Sequence, residues 1–90
     1  MKKIKMTIYL DNSFLSMEAY NLIKSHSNLF EKTFKTEILT HSDLMQRNDV
    51  RKCCGGPKFP WLEIENIISA YKGKRAIRKL QLLIKQNKGE

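Results

Sequence analysis

Two different hydrophobic periods follow each other in the first forty residues, and their order constrains the fold more than any other feature of the chain. Apolar and polar residues alternate from Ile4 to Leu10, which is typical of a strand lying on a core. Apolar positions then recur every three or four residues, which predicts a helix over about 14 to 27. The positions on this face are Leu15, Ala19, Leu22, Ile23, His26 and Phe30. Because Thr33 to Thr40 is rich in β-branched residues, it predicts a second strand, and the unit is a parallel β-α-β with a right-handed crossover.

The middle of the chain predicts a short helix followed by a loop. Ser42 and Asp43 open a weakly amphipathic helix. Its apolar residues are Leu44, Met45 and Val50. Two glycines and a proline at positions 55 to 57 break any regular element, so Cys53 to Lys58 is predicted as a loop.

The last third of the chain predicts a β-hairpin and a final helix. Phe59 to Ile64 and Ile67 to Tyr71 have strand character, and the two residues between them are typical of a hairpin turn. Gly73 then ends the second strand. Helical spacing follows at Ala76, Ile77, Leu80, Leu83 and Ile84. The predicted order is β-α-β-α-β-β-α, an α/β fold with a four-stranded mixed sheet, helices on both faces, and one domain over residues 1–90 with an ordered core of about 3–86.

Composition narrows the class of protein. Ninety residues leave room for a single core, and 41% hydrophobic with 29% charged residues suits a globular chain. No apolar run approaches the roughly 18 residues that a membrane span requires. The two cysteines are adjacent, so no framework of disulfides is expected, and a reducing cytoplasm is the predicted location.

Positive charge is concentrated in the second half of the chain. The formal net charge is +8, and Arg47 to Lys88 contains eleven Lys and Arg against three acidic residues. The final helix carries a basic surface made of Lys74, Arg75, Arg78 and Lys79. The electrostatic field of this excess positive charge favours an acidic partner, which can be a protein, a nucleic acid or a small anion. A small nucleic-acid-binding protein is therefore one alternative function, although no motif for base stacking accompanies the charges, and an ordinary solvated helix face is the other interpretation.

Three local segments resemble the glutaredoxin and thioredoxin family, and the resemblance covers nearly the whole chain. They are Ile8-Tyr9-Leu10 before the first helix, Phe59-Pro60-Trp61-Leu62 opening a strand, and Ala70-Tyr71-Lys72-Gly73 before the last helix. The resemblance implies that Pro60 is the family's cis-proline, beside a groove for an extended peptide or glutathione. An ordinary trans proline at the start of an edge strand is the alternative.

The active-site position departs from the family pattern. Where the family has Cys-x-x-Cys or Cys-x-x-Ser, this chain has Ser13-Phe14-Leu15-Ser16. A serine hydroxyl has no redox chemistry, and no histidine stands nearby to activate it, so Ser13 and Ser16 are predicted to cap the helix. The predicted function is a redox-inactive binding module rather than an enzyme. It is expected to hold a protein partner through its basic surface or through a groove formed by Ser13, Phe14, Ser16, Phe59 and Pro60. No cofactor is predicted, with glutathione the one that the resemblance would allow.

Cys53 and Cys54 leave a second function open, a thiol-disulfide oxidoreductase. Adjacent Cα atoms are about 3.8 Å apart, shorter than the roughly 4.4 Å of relaxed disulfides, so a bond between the two would be strained. Neighbouring cations would lower a thiol pKa if they approached. The competing interpretation is two small residues without a chemical role. No metal site is predicted, because the two cysteines with His26 or His41 do not match zinc-ligand spacings.

Overall fold

The computed structural model describes residues 3–47, 58–65 and 70–88. Four strands are present in these ranges: β1 (Ile4–Leu10), β2 (Phe34–Thr40), β3 (Trp61–Ile64) and β4 (Tyr71–Lys72). The helices in the same ranges are α1 (Phe14–Ser25), α2 (Ser27–Thr33), α3 (His41–Met45) and α4 (Lys74–Lys88). The protein is thus an α/β chain, as predicted.

The four strands form one mixed sheet in the order β2-β1-β3-β4. β1 and β2 are parallel, and their register runs from Ile4 opposite Phe34 to Leu10 opposite Thr40. β3 is antiparallel to both β1 and β4. The predicted parallel pair and the later antiparallel pair are both confirmed, and β1 lies inside the sheet with a neighbour on each side.

Both faces of β1 are covered. Successive residues of a strand point to opposite faces. Ile8 belongs to the main core with residues of α1, α2 and α4, whereas Tyr9 packs with Leu44 of α3 and Trp61 in a second, smaller cluster. Helices therefore lie on both faces, as predicted. The alternation at Ile4 to Leu10 indicated one buried face, but Thr7 and Tyr9 on the other face are also buried because β1 is an inner strand.

The predicted first helix is two helices in the structure. α1 ends at Ser25, and Nδ1 of His26 lies 3.1 Å from the carbonyl oxygen of Leu22, to which it donates in the tautomer protonated at Nδ1. His26 is half-buried at this junction rather than inside the core. α2 then carries the fully buried Phe30, and it extends through Thr33, so β2 begins one residue later than predicted.

Local capping decides the other boundaries. α3 begins at His41, one residue before the predicted start, because Thr40 caps it. Thr40 Oγ1 accepts from the Asp43 backbone N–H at 3.3 Å, and the Asp43 carboxylate accepts from the Thr40 N–H at 3.0 Å.

Gly73 has φ of +59° and donates its N–H to the carbonyl oxygen of Pro60 at 2.9 Å. The predicted break there is confirmed, in a conformation that favours glycine. Of the predicted strand Ile67 to Tyr71, residues 67–69 lie outside the described residues, and β4 covers Tyr71–Lys72.

α4 carries the predicted apolar stripe. All five of its predicted apolar residues are buried: Ala76, Ile77, Leu80, Leu83 and Ile84. They belong to the main core together with residues of β1 and β3. This packing leaves the cationic positions of α4 on the outside, and within the described part of the chain no helix is long and apolar enough to cross a bilayer.

Candidate binding site at the start of the first helix

The chain leaves β1 through a three-residue turn and enters α1 with a side-chain cap. Ser13 is the N-cap residue, with extended backbone angles of φ −75° and ψ 163°. Its Oγ accepts a hydrogen bond from the backbone N–H of Ser16 at 3.3 Å. This is the capping role predicted for Ser13, and it occupies one of the free donors of the helix N-terminus.

Asp11 joins the two serines into one hydrogen-bonded network. Its Oδ1 accepts from the Ser13 backbone N–H at 2.9 Å and from the Ser16 hydroxyl at 2.7 Å. The Asp11 N–H in turn donates to Ser16 Oγ at 3.1 Å, and the Ser13 hydroxyl lies 3.3 Å from the same oxygen. The Ser16 hydroxyl thus both donates and accepts a hydrogen bond. These bonds explain how this polar residue can be buried, with only 1% of its surface exposed.

The network also sets the charge state of Asp11. Burial raises the pKa of this carboxyl, but the hydrogen bonds from Ser13 and Ser16 outweigh that effect and leave the pKa below its ordinary value. Asp11 is therefore an anion at neutral pH, one turn before the positive end of the α1 dipole. The carboxylate accepts from the hydroxyl of Ser16, a residue that is itself buried, and from the backbone N–H rather than the hydroxyl of Ser13.

Apolar side chains surround this polar turn on the outside. Phe14 is 87% exposed, Met17 is 60% exposed, and Tyr20 is exposed as well. A groove of about 350 Å³ runs along Leu10, Asp11, Ser16, Met17, Tyr20 and Asn21. A second groove of about 480 Å³ borders Phe14 and shares Met17 and Asn21 with the first. This part of α1 is therefore an exposed surface formed by two aromatic side chains and a methionine, the residue types enriched where proteins bind one another.

Pro60 lies at the same end of the sheet. Tyr9 is opposite Trp61 in the antiparallel β1–β3 register, so Pro60 comes next to Leu10, the residue before the turn into α1. The Phe59–Pro60 peptide bond is cis, as predicted, and β3 begins at Trp61, two residues later than the predicted strand start at Phe59. The Pro60 side chain is fully buried, and Phe59 is half-buried against the second core cluster. Among the predicted groove residues, Phe14 offers by far the most exposed side chain.

The basic surface predicted on the last helix is present. Arg75, Arg78 and Lys79 line a groove of about 290 Å³ together with Tyr71 and Leu82, while Lys74 is exposed at the start of α4. This groove shares no lining residue with the two grooves along α1. The predicted cationic surface therefore forms a second candidate site.

Cys53 and Cys54, the two adjacent thiols, lie outside the described residues, so their predicted reactivity stays a prediction. Within residues 3–47, 58–65 and 70–88, no three His, Cys, Asp or Glu side chains are grouped so that they would hold a metal ion.

Two polar arrangements were missed from the sequence. The hydrophobic pattern assigns no role to Asp11, although an Asp two residues before a serine N-cap is a recognisable turn signal. Arg47 Nη1 lies 2.7 Å from Glu63 Oε1 and 3.3 Å from Tyr9 Oη. No local pattern indicates this second cluster, because its members are 16 and 38 residues apart in the sequence.

Comparison with known proteins adds no relative to this description. No family model, no curated protein and no solved structure gives a significant match to the chain.

Proposed function

We propose that this protein is a redox-inactive binding module of the thioredoxin and glutaredoxin type, which holds a protein partner at the N-terminal end of α1. The mixed four-stranded sheet, with helices on both faces and a cis-proline before β3, is compatible with that fold. A cytoplasmic location belongs to the same proposal, since a chain with two adjacent cysteines suits a reducing compartment.

The observation that carries the proposal is the closed network of Asp11, Ser13 and Ser16. A thiolate or a glutathione carboxylate would bind at the free N–H groups and positive dipole of a helix N-terminus. Here the Ser16 N–H and the Ser13 N–H already donate to protein oxygens, and the Asp11 carboxylate supplies a negative charge. Both features disfavour an added anionic ligand at this turn, which argues against glutathione.

Exposed apolar area supplies the binding surface. Phe14 and Met17 are one helical turn apart and protrude beside the capped N-terminus. Burying both against a partner would contribute on the order of 3–6 kcal/mol before the costs of association, at roughly 1.5–3 kcal/mol for each side chain. A partner that binds here is expected to present apolar side chains of its own.

Capture from an extract of the native host tests the binding role. The protein is immobilised as wild type, as the double variant Phe14→Ser with Met17→Ser, and as Ile4→Ser, a control at an exposed apolar residue of β1 that lines neither groove. The proposal expects one partner that is retained by wild type and by Ile4→Ser and is lost from the double variant. Equal retention by all three proteins would contradict it.

Reductase assays test the absence of redox chemistry. Wild type is expected to reduce neither insulin disulfides nor a glutathione mixed disulfide. Ser13 at the N-cap of α1 and Ser16 within α1 carry hydroxyl groups, which have no redox chemistry. The matched control is the variant with Cys53→Ser and Cys54→Ser, which should be indistinguishable from wild type. Robust activity that disappears in this control would instead establish the thiol-disulfide oxidoreductase, and alkylation under native conditions would then report the pKa of both thiols.

A further inference from the structure

The groove between β4 and α4 is formed by one strand residue and one face of a helix. Tyr71 comes from β4, the edge strand of the sheet, and the other lining residues come from α4. Arg75, Arg78 and Leu82 are separated by three and four positions, so they share one face of the helix. The groove, of about 290 Å³, is thus a shallow channel with a defined chemical lining.

The charged side chains that line this groove are all cationic. α4 contains no acidic residue between Lys74 and Lys88. Among residues 3–47, 58–65 and 70–88, no carboxylate lies within ion-pair distance of Arg75, Arg78 or Lys79. By contrast, Arg47 on the other side of the sheet is paired with Glu63. A row of unpaired cations along a groove attracts a ligand that carries several negative charges.

The groove also has an apolar component. Leu82 is 46% exposed, and the half-buried ring of Tyr71 lies beside it in the lining. Lys79 Nζ is 5.4 Å from the centre of the Tyr71 ring, so the ammonium group covers one face of that ring. A nucleic-acid base would need such a face for stacking, and phosphates alone would make no use of Leu82. A peptide, in contrast, uses both components at once.

We propose that this groove binds an acidic segment of a partner protein, in which Asp or Glu residues flank an apolar side chain. The carboxylates contact Arg75, Arg78 and Lys79, and the apolar side chain packs on Leu82 beside Tyr71. This surface is separate from the α1 site, and the proposal does not depend on the redox inactivity of that site.

Fluorescence anisotropy with the full chain at about 150 mM salt tests the proposal. The probes are labelled peptides with four Glu residues around one Phe, the same peptide with Gln for Glu, and the same peptide with Ala for Phe. The Glu–Phe peptide is expected to bind at least about fivefold more tightly than either relative, because each relative lacks one of the two interactions. Failure of the Glu–Phe peptide to bind, or equal binding of all three, would overturn the proposal.

Variants localise the binding to the groove. Arg75→Glu with Arg78→Glu is expected to weaken binding by at least about tenfold, and Leu82→Ser by about threefold. Lys32→Glu with Lys35→Glu applies the same change of charge at exposed positions of α2 and β2, and it should stay within about twofold of wild type. Circular dichroism verifies that each variant is folded. Equal losses in the two charge-reversal variants would show attraction to net charge only and would overturn the assignment.

Two further measurements separate this proposal from its competitors. A single-stranded oligonucleotide of matched charge is expected to bind more weakly than the Glu–Phe peptide. If the oligonucleotide binds more tightly and displaces the peptide, the groove is a nucleic-acid site and the proposal is wrong. The variant with Phe14→Ser and Met17→Ser should bind the peptide like wild type, so the α1 site and this groove can fail independently.

Discussion

The start of α1 and the groove along α4 are both exposed surfaces beside a helix, but they differ in whether their polar groups bind partners within the described part of the protein. At the start of α1, the polar atoms of Asp11, Ser13 and Ser16 bind one another, and apolar side chains protrude around them. Along α4, the cations of Arg75, Arg78 and Lys79 have no acidic partner within the described part of the protein. A closed polar network contributes to stability, whereas unmatched charges contribute to recognition.

The largest expected effect of this difference is on stability. Asp11→Ala removes the acceptor of two hydrogen bonds and should lower the free energy of unfolding by about 1–3 kcal/mol. Arg78→Ala on α4 removes no internal partner and should stay within about 0.5 kcal/mol of wild type. Urea denaturation followed by circular dichroism compares the two. If both variants lose the same stability, the contrast between the two surfaces is wrong.

Gly73 connects β4 to α4 and so positions the basic groove. Gly73→Ala places a Cβ at φ +59°, which should cost about 1–2 kcal/mol. A Cβ there would meet no atom within 4 Å, so the cost comes from the backbone conformation alone. Gly73→Asn should lose clearly less stability than Gly73→Ala, because Asn tolerates this conformation better. Thermal unfolding of the three proteins measures the order, and an unchanged Tm in Gly73→Ala would contradict it.

The thiol pKa of a cysteine at position 13 depends on two opposing effects, the helix dipole and the negative charge of Asp11. Ser13→Cys, in a chain with Cys53→Ser and Cys54→Ser, should have a thiol pKa below that of a free thiol, since a helix N-terminus stabilises an anion by about 0.3–1 kcal/mol. Adding Asp11→Asn removes the nearby negative charge and should lower the thiol pKa further. The pH dependence of the alkylation rate measures both values. A pKa that rises on removing Asp11 would show that this carboxylate does not oppose an anion at the turn.

A fourth experiment asks whether two cysteines would pair in the same turn. Ser13→Cys with Ser16→Cys should form an intramolecular disulfide on oxidation, because three residues of separation at a helix start bring the sulfurs within bonding distance. Mass spectrometry after alkylation detects the disulfide as the loss of two hydrogen atoms, with no alkyl group added at either introduced cysteine. The matched control, Ser13→Cys with Met17→Cys, should pair less readily, since Met17 is exposed and Ser16 is buried next to Ser13.

The smallest expected effect is the dependence of stability on pH. The folded pKa of Asp11 is below its ordinary value of 3.8, so its carboxylate contributes stability above that pH and loses it as the pH falls through the folded value. The difference in Tm between wild type and Asp11→Asn should therefore shrink as the pH is lowered from about 6 to about 3. Asp43, whose pKa is lowered by hydrogen bonds from Thr40, provides the comparison variant Asp43→Asn. A constant difference across this range would contradict the assignment for Asp11.

Several parts of the fold followed from local patterns. The buried stripe of α4 has helical spacing, β1 alternates, and Gly73 ends β4, so periodicity and one glycine were enough to predict them. The break at His26 was not predictable in this way, since apolar spacing continues across it to Phe30. Whether that spacing belongs to one helix or two depends on how the segment packs before it enters β2.

By itself the sequence determined the order of strands and helices apart from the break at His26, the serines at positions 13 and 16, and the excess of cations on the last helix. These are properties of neighbouring residues, whose spacing and chemistry are visible along the chain. Only the tertiary structure decided that Tyr9 is buried on a second face and that Arg47 pairs with Glu63. Hydrogen bonds and burial depend on which distant segments meet, and that is settled when the sheet and its helices pack together.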